Sequence, residues 1–210
     1  MTDETVRGSA EPADGPSSLA SSFVTTEHFT LQEARAATIS ESTGRATMFL
    51  GVVSGGLVAL GLIATATGVG TAFFAFALVL LPTLTFVGVV TFERALQSGV
   101  EDHDYALRMG RLRAFYFDAA PEIEQYMPRS TLQDRLHARD LSRRQGSRTV
   151  AGMVAVVTGV LAGATVALLV AVVTSHSLAA ALSAGGVVAV ATILVLMEHQ
   201  HREWINSGSD

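Results

Sequence analysis

Two stretches of this chain, residues 46–92 and 149–197, carry no charged side chain, and their only ionisable group is His176. They run for 47 and 49 residues. One helix of that length would be about 70 Å long, more than twice a hydrocarbon core of about 30 Å, so each stretch must double back on itself. Breaker residues cluster at Gly68, Val69 and Gly70 in the first and at Ser175, His176 and Ser177 in the second, which puts the turns there. Four spans follow: Ala46 to Thr67, Thr71 to Phe92, Thr149 to Thr174 and Leu178 to Met197.

A soluble helical bundle is excluded by the same feature, because a helix at a water boundary needs a polar stripe and these spans have none. The composition agrees: 49% of residues are hydrophobic and 16% charged, against about 25% charged in an average soluble domain. The predicted fold class is therefore all-α, a polytopic membrane protein with four transmembrane helices arranged as two hairpins around a cytoplasmic helical insert.

Orientation follows from the fourteen arginines, since basic residues near span ends stay on the cytoplasmic side. Ten lie in residues 93–148; Arg35 and Arg45 precede the first span, Arg202 follows the last, and neither turn carries one. Both termini and the central segment are expected in the cytoplasm, at the plasma membrane. The N-terminal run MTDETVRGSAEPADG lacks a basic region followed by an early apolar one, so no cleaved signal is expected.

The expected organisation has six parts. Residues 1–29, rich in Ser, Pro, Gly, Ala and acids, read as a disordered cytoplasmic tail. Thr30-Leu-Gln-Glu33 fits a capping box, which would open an amphipathic pre-membrane helix over 30–45. The first hairpin occupies 46–92, a cytoplasmic helical segment 93–148, the second hairpin 149–197 and a cytoplasmic tail 198–210. Within the segment, Leu96, Val100, Leu107, Gly110 and Ala114, with His103 filling the missing step, share one helical face and read as a packing seam. Glu101, Asp102, Arg111 and Arg113 then fall on the solvated side, and Asp104 with Arg108 form an ion pair four residues apart. Pro121 should end this helix at Ala119 or Ala120, and Thr131-Leu-Gln-Asp134 should open another.

Few residue types are available for chemistry. There is no cysteine, which excludes disulfides, thiolate metal sites and a cysteine nucleophile. Glu101, Asp102, His103 and Asp104 are the right types for a cation, but consecutive helical residues point about 100° apart and cannot converge on one ion. His199-Gln-His201, with Glu198 and Glu203, reads as a tail near lipid headgroups, and Trp204 as an interfacial anchor. The spans offer only hydroxyls, among them Ser54, Thr83, Thr85, Thr158 and Thr165; Pro82 should kink the second span and free a carbonyl that Thr83 or Thr85 could satisfy. No catalytic, cofactor-binding or metal-ligating residue is assigned, and an enzyme is not expected.

The most specific pattern lies in the third span, where Ala151, Ala155, Gly159, Gly163, Ala167 and Ala171 recur every four residues. Small side chains on one stripe let two helix backbones approach closely, whether the partner is another span or a second copy. Gly51 and Gly55 give the first span a shorter version. Arg135, Arg139 and Arg143 line one face and, with Arg144 and Arg148, are candidates for contact with anionic lipids. Val52 to Leu57 resembles Val156 to Leu161 at an offset of 104, a weak internal repeat whose halves would be parallel.

The run Arg45 to Leu60, then Thr91 to Gln97, then Glu101 and Asp102 with Tyr105, Arg108, Arg111, Arg113 and Tyr116, resembles a family of uncharacterised actinobacterial integral membrane proteins, over about residues 30–200. That resemblance implies four spans and brings no activity or ligand. The expected partners are the lipid bilayer, anionic lipids included, a further copy of the chain or an unidentified protein, and no nucleic acid. The expected function is a non-enzymatic membrane scaffold or interaction protein; the alternative is an oligomeric pore or transporter lined by hydroxyls.

Overall fold

The computed structural model describes residues 18–121, 149–174 and 177–206. They form four α-helices: α1 (Ser18–Thr67), α2 (Thr71–Ala119), α3 (Val150–Val173) and α4 (Leu178–Asn206). Each contains a segment long and apolar enough to cross a membrane. Such a set fits a multi-pass membrane protein.

The helix ends fall where the backbone chemistry requires. α1 stops at Gly68, whose φ of 68° lies in the left-handed region that only glycine enters without penalty. α2 ends as the Ala120 N–H closes on the Tyr116 carbonyl at 3.0 Å, immediately before Pro121. The Thr149 hydroxyl caps α3, accepting the Gly152 N–H at 3.1 Å. α2 runs unbroken through Pro82. Thr83 and Thr85 donate to the carbonyls of Val79 and Leu81, and neither reaches the Leu78 carbonyl that Pro82 frees.

Two expectations about α1 and α2 need correction. The helix opens at Ser18, not Thr30, so residues 18–29 of the expected disordered tail are helical. The Thr30 hydroxyl cannot cap here, because it donates backwards to the Thr26 carbonyl at 3.0 Å inside a continuing helix. On α2 Leu96 is buried and Val100 and His103 half-buried as expected, but beyond them the seam runs one step away from the expected face: Met109 is buried, whereas Leu107 is 48% exposed and Gly110 and Ala114 lie open. Asp102 sets this phase. Its carboxylate turns toward α1 and accepts from Arg35 Nε at 2.6 Å and Nη2 at 3.3 Å, so it does not belong to the solvated side. The Asp104–Arg108 pair forms as its spacing requires, at 2.8 Å.

The helices are laid out as a row. α1 packs on α2, α2 on α3 and α3 on α4, with slight contact between α1 and α3. The pairs Arg35 with Asp102, Gly56 with Leu84 and Thr25 with Tyr116 show α1 and α2 running in opposite directions along nearly their whole lengths. Buried and half-buried α1 residues recur at 24, 28, 31, 35, 38 and 42 and again at 46, 49, 53 and 56, steps of three and four that match a supercoiled pair. The core between α1, α2 and α3 includes Phe49, Leu84, Phe92, Val154 and Leu161.

Burial inverts the pattern of a water-soluble bundle. Gly88, Gly152, Gly159, Gly163, Gly185 and Thr158 are inside. Leu62, Val79, Phe86, Leu182, Val187 and Val195 are outside, each 64–70% exposed. In lipid, tails solvate large apolar side chains and helix contact is gained by close backbone approach, so small residues belong inside.

Candidate functional site at the polar collar

Polar groups meet where the charge-free sections end, at Glu93, Thr149 and residues 198–200. Gln200 is 5% exposed although it follows two polar residues, because it turns inward and donates Nε2 to the Thr149 hydroxyl at 3.2 Å. One hydroxyl thus caps α3 and fastens α4 to it. Gln200 Oε1 is buried without a hydrogen-bond partner among the described residues. On the neighbouring side His199 Nε2 lies 3.4 Å from Glu93 Oε1, and its ring sits 6.5 Å from that of Phe92. The collar joins α2, α3 and α4. It replaces the expected free tail from residue 198: α4 continues to Asn206, with Arg202 bonded to Glu198 at 3.0 Å.

The collar contains two titratable side chains in contact, Glu93 and His199, both exposed by two-fifths or more. Among the described residues no group of three or more His, Cys, Asp or Glu could hold a metal. The arrangement can clamp helices together. Among the described residues it brings together no three or more His, Asp or Glu side chains as a ligand set.

Beyond the collar α1 and α2 continue as a two-helix arm. Ser18 to Arg45 and Glu93 to Ala119 project about 40 Å past the charge-free sections. Arg35 and Asp102 clasp it midway, and the Tyr116 hydroxyl lies 3.3 Å from Thr25 Oγ1 near its end, with the His28 ring edge-on to Tyr116 at 6.3 Å. The hydrogen bond to Asp102, with its charge, raises the pKa of Arg35 above the ordinary arginine value against a smaller opposing effect of burial. Stability carried by this guanidinium is therefore complete below its unfolded value and lost only as pH climbs through the raised one.

The expected helix-packing residues separate into two groups. Ala155, Gly159 and Gly163 are buried and Ala167 is half-buried. A Cβ on Gly163 would sit 2.5 Å from the Gly185 carbonyl oxygen and 2.7 Å from Ala189 Cβ; one on Gly185 would sit 2.7 Å from Ala167 Cβ. Gly159 faces Ile193 and the Ala189 carbonyl. This stripe thus meets α4 of the same chain. About 130° around α3, Val154, Thr158 and Leu161 face α2, where Gly88 lies against the Thr158 hydroxyl and Phe49. Gly51 and Gly55 do not pack against another helix among the described residues: nothing lies within 4 Å of a Cβ at either. They are two residues either side of Val53, which faces α2, so they point the opposite way. Gly56 makes the contact instead: a Cβ there would lie 3.1 Å from Leu84 Cδ1. Gly55 and Gly159, equivalent under the offset of 104, thus have opposite surroundings.

Thr65, Thr83, Thr85, Thr165 and Ser183 each donate to a carbonyl of their own helix three or four residues back. Thr158 is fully buried, its hydroxyl without a conventional partner. Its proximity to Gly88 fits a weak Cα–H···O contact between helices. The proposed lipid-contact residues Arg135, Arg139, Arg143, Arg144 and Arg148, the helix expected from Thr131, most of the turn at 175–177 and the Trp204 side chain lie outside the described residues.

Sequence reasoning missed Gln200 as an interior residue and Arg35 with Asp102 as a clasp. Each pairing spans 51 or 67 residues, and no local pattern announces it. No family model matches the chain, and no match was found among curated proteins or solved structures.

Proposed function

We propose that this chain is a non-enzymatic scaffold or interaction protein of the plasma membrane. Two helical hairpins cross the bilayer, both short turns lie outside, and the α1–α2 arm stands in the cytoplasm. The observation that supports this best is the arm itself. Two helices leave the apolar region together, keep their pairing for about 40 Å and are tied by Arg35 and Asp102, which makes a stiff rod able to hold a contact surface away from the lipid. The collar supports the same reading, because it braces the rod's base against α3 and α4 without assembling reactive groups.

Copurification from native membranes tests it, comparing the parent with a variant carrying Arg35→Glu and Met109→Asp. The reading expects a defined set of bound proteins that the variant loses while its membrane content is unchanged. Catalytic turnover of a small molecule by the purified chain, or an identical bound set for both proteins, overturns it.

A further inference from the structure

We propose that the outer face of α1 is a dimer interface, and that its occupant is α1 of a second copy of this chain. The proposal rests on the multi-pass reading, because a shared orientation in one membrane makes the two α1 helices parallel, related by a two-fold axis along the membrane normal.

The row arrangement leaves α1 with α2 as its one extensive neighbour among the described helices. Opposite α2, exposed residues follow one another in steps of three and four from Leu19 through Phe23, Thr30, Ala37 and Gly44 to Leu62. That spacing averages about 3.6 residues, so the stripe keeps to one face of the helix along its length. On the arm, where the surrounding solvent is water, this face should be the most charged part of the helix. It carries Glu33, with Glu27 and Glu41 exposed along one edge, while Leu19 and Phe23 are 70% and 73% exposed and Phe29, along the other edge, 65%.

The same stripe enters the apolar section without a break. Gly44, Gly51 and Gly55 lie on it, each with nothing within 4 Å of a Cβ. Lipid could cover only the lower half, and a soluble partner only the upper half. An occupant that matches both is a helix as long as α1, crossing the same boundary at the same height. A second copy supplies one. The strip is about 65 Å long and about 10 Å wide, so about 650 Å² per copy and about 1,300 Å² for the pair would be covered. A specific interface needs about 1,000 Å².

The chain has no cysteine, so single cysteines report the contact directly. Ala37→Cys and Gly44→Cys place thiols on the stripe, and Gln32→Cys places an exposed one about 120° away from it. A disulfide needs Cβ atoms about 3.5–4.5 Å apart, which a two-fold axis at this face provides. Mild oxidation of native membranes should give a covalent species of twice 22.0 kDa with Ala37→Cys and Gly44→Cys, at least tenfold more than with Gln32→Cys. In the cysteine-free protein, Phe23→Glu with Ala37→Glu should reduce the dimer seen on sizing in mild detergent at least fivefold.

Equal yields at the three positions, no dimer at positions 37 and 44, bonds to a protein of another mass, or an unchanged dimer in the glutamate variant would each overturn the proposal. Crosslinking failure in protein that resists carbonate extraction removes the interface alone. Release by carbonate removes the multi-pass reading as well.

Discussion

Replacing Gly163 by alanine adds one methyl group where the backbones of α3 and α4 approach closely. That methyl would lie 2.5 Å from the Gly185 carbonyl oxygen and 2.7 Å from Ala189 Cβ, and a backbone oxygen cannot swing aside. Restoring ordinary contact of about 3.4 Å moves α3 and α4 apart by nearly 1 Å. A gap of 0.5–1 Å forfeits a quarter to a half of the about 0.1–0.2 kcal/mol in each atom pair, and a contact region the size of one buried leucine has about 50 such pairs. The loss is about 2–3 kcal/mol, in line with the about 1–3 kcal/mol measured for overpacked cores. Gly186→Ala is the control, next in the chain and with nothing within 4 Å of its Cβ. Unfolding the purified proteins in mixed micelles of rising SDS fraction, followed by circular dichroism, should shift the Gly163→Ala transition to lower SDS and leave Gly186→Ala at or above the parent. Coincident transitions for the two variants would refute the close-approach reasoning.

Gly88→Ala should cost about 1–3 kcal/mol in the same titration, because its methyl meets Thr158 and Phe49, and adding Thr158→Ala should recover at least half. Thr149→Ala should cost about 1–2 kcal/mol by removing the α3 cap and the Gln200 anchor, and Thr149→Ser should restore both, read as amide exchange in the first turn of α3. Asp102→Asn should loosen the arm by about 1 kcal/mol at low ionic strength and by less in high salt, since both partners are partly exposed; hydrogen exchange over residues 20–40 measures it.

Three helix ends were legible because they rest on local chemistry. Gly68, Pro121 and Thr149 each dictate a backbone conformation or a cap regardless of what packs nearby. The start of α1 was not legible. Ser18 to Phe29 has a polar composition, and what keeps it helical is pairing with residues near Tyr116, some 90 positions away. The seam of α2 was misplaced by one step for a related reason: apolar periodicity points to Leu107 and Gly110, whereas the interface admits Asp102 because Arg35 neutralises it. The small-residue ladder of α3 stood out in the sequence, yet nothing in the ladder itself distinguishes α4 from a second copy as its partner. That distinction comes from Gly185 and Ala189, which present a matching small surface to it.

Side-resolved thiol labelling tests the central claim most directly. With single cysteines at Val69, Ser177 and Gln32, a membrane-impermeant maleimide added to intact cells should label the first two and spare the third, and inverted vesicles should give the converse. Labelling of Gln32→Cys from outside, or recovery of all three variants in the soluble fraction without detergent, would contradict the account.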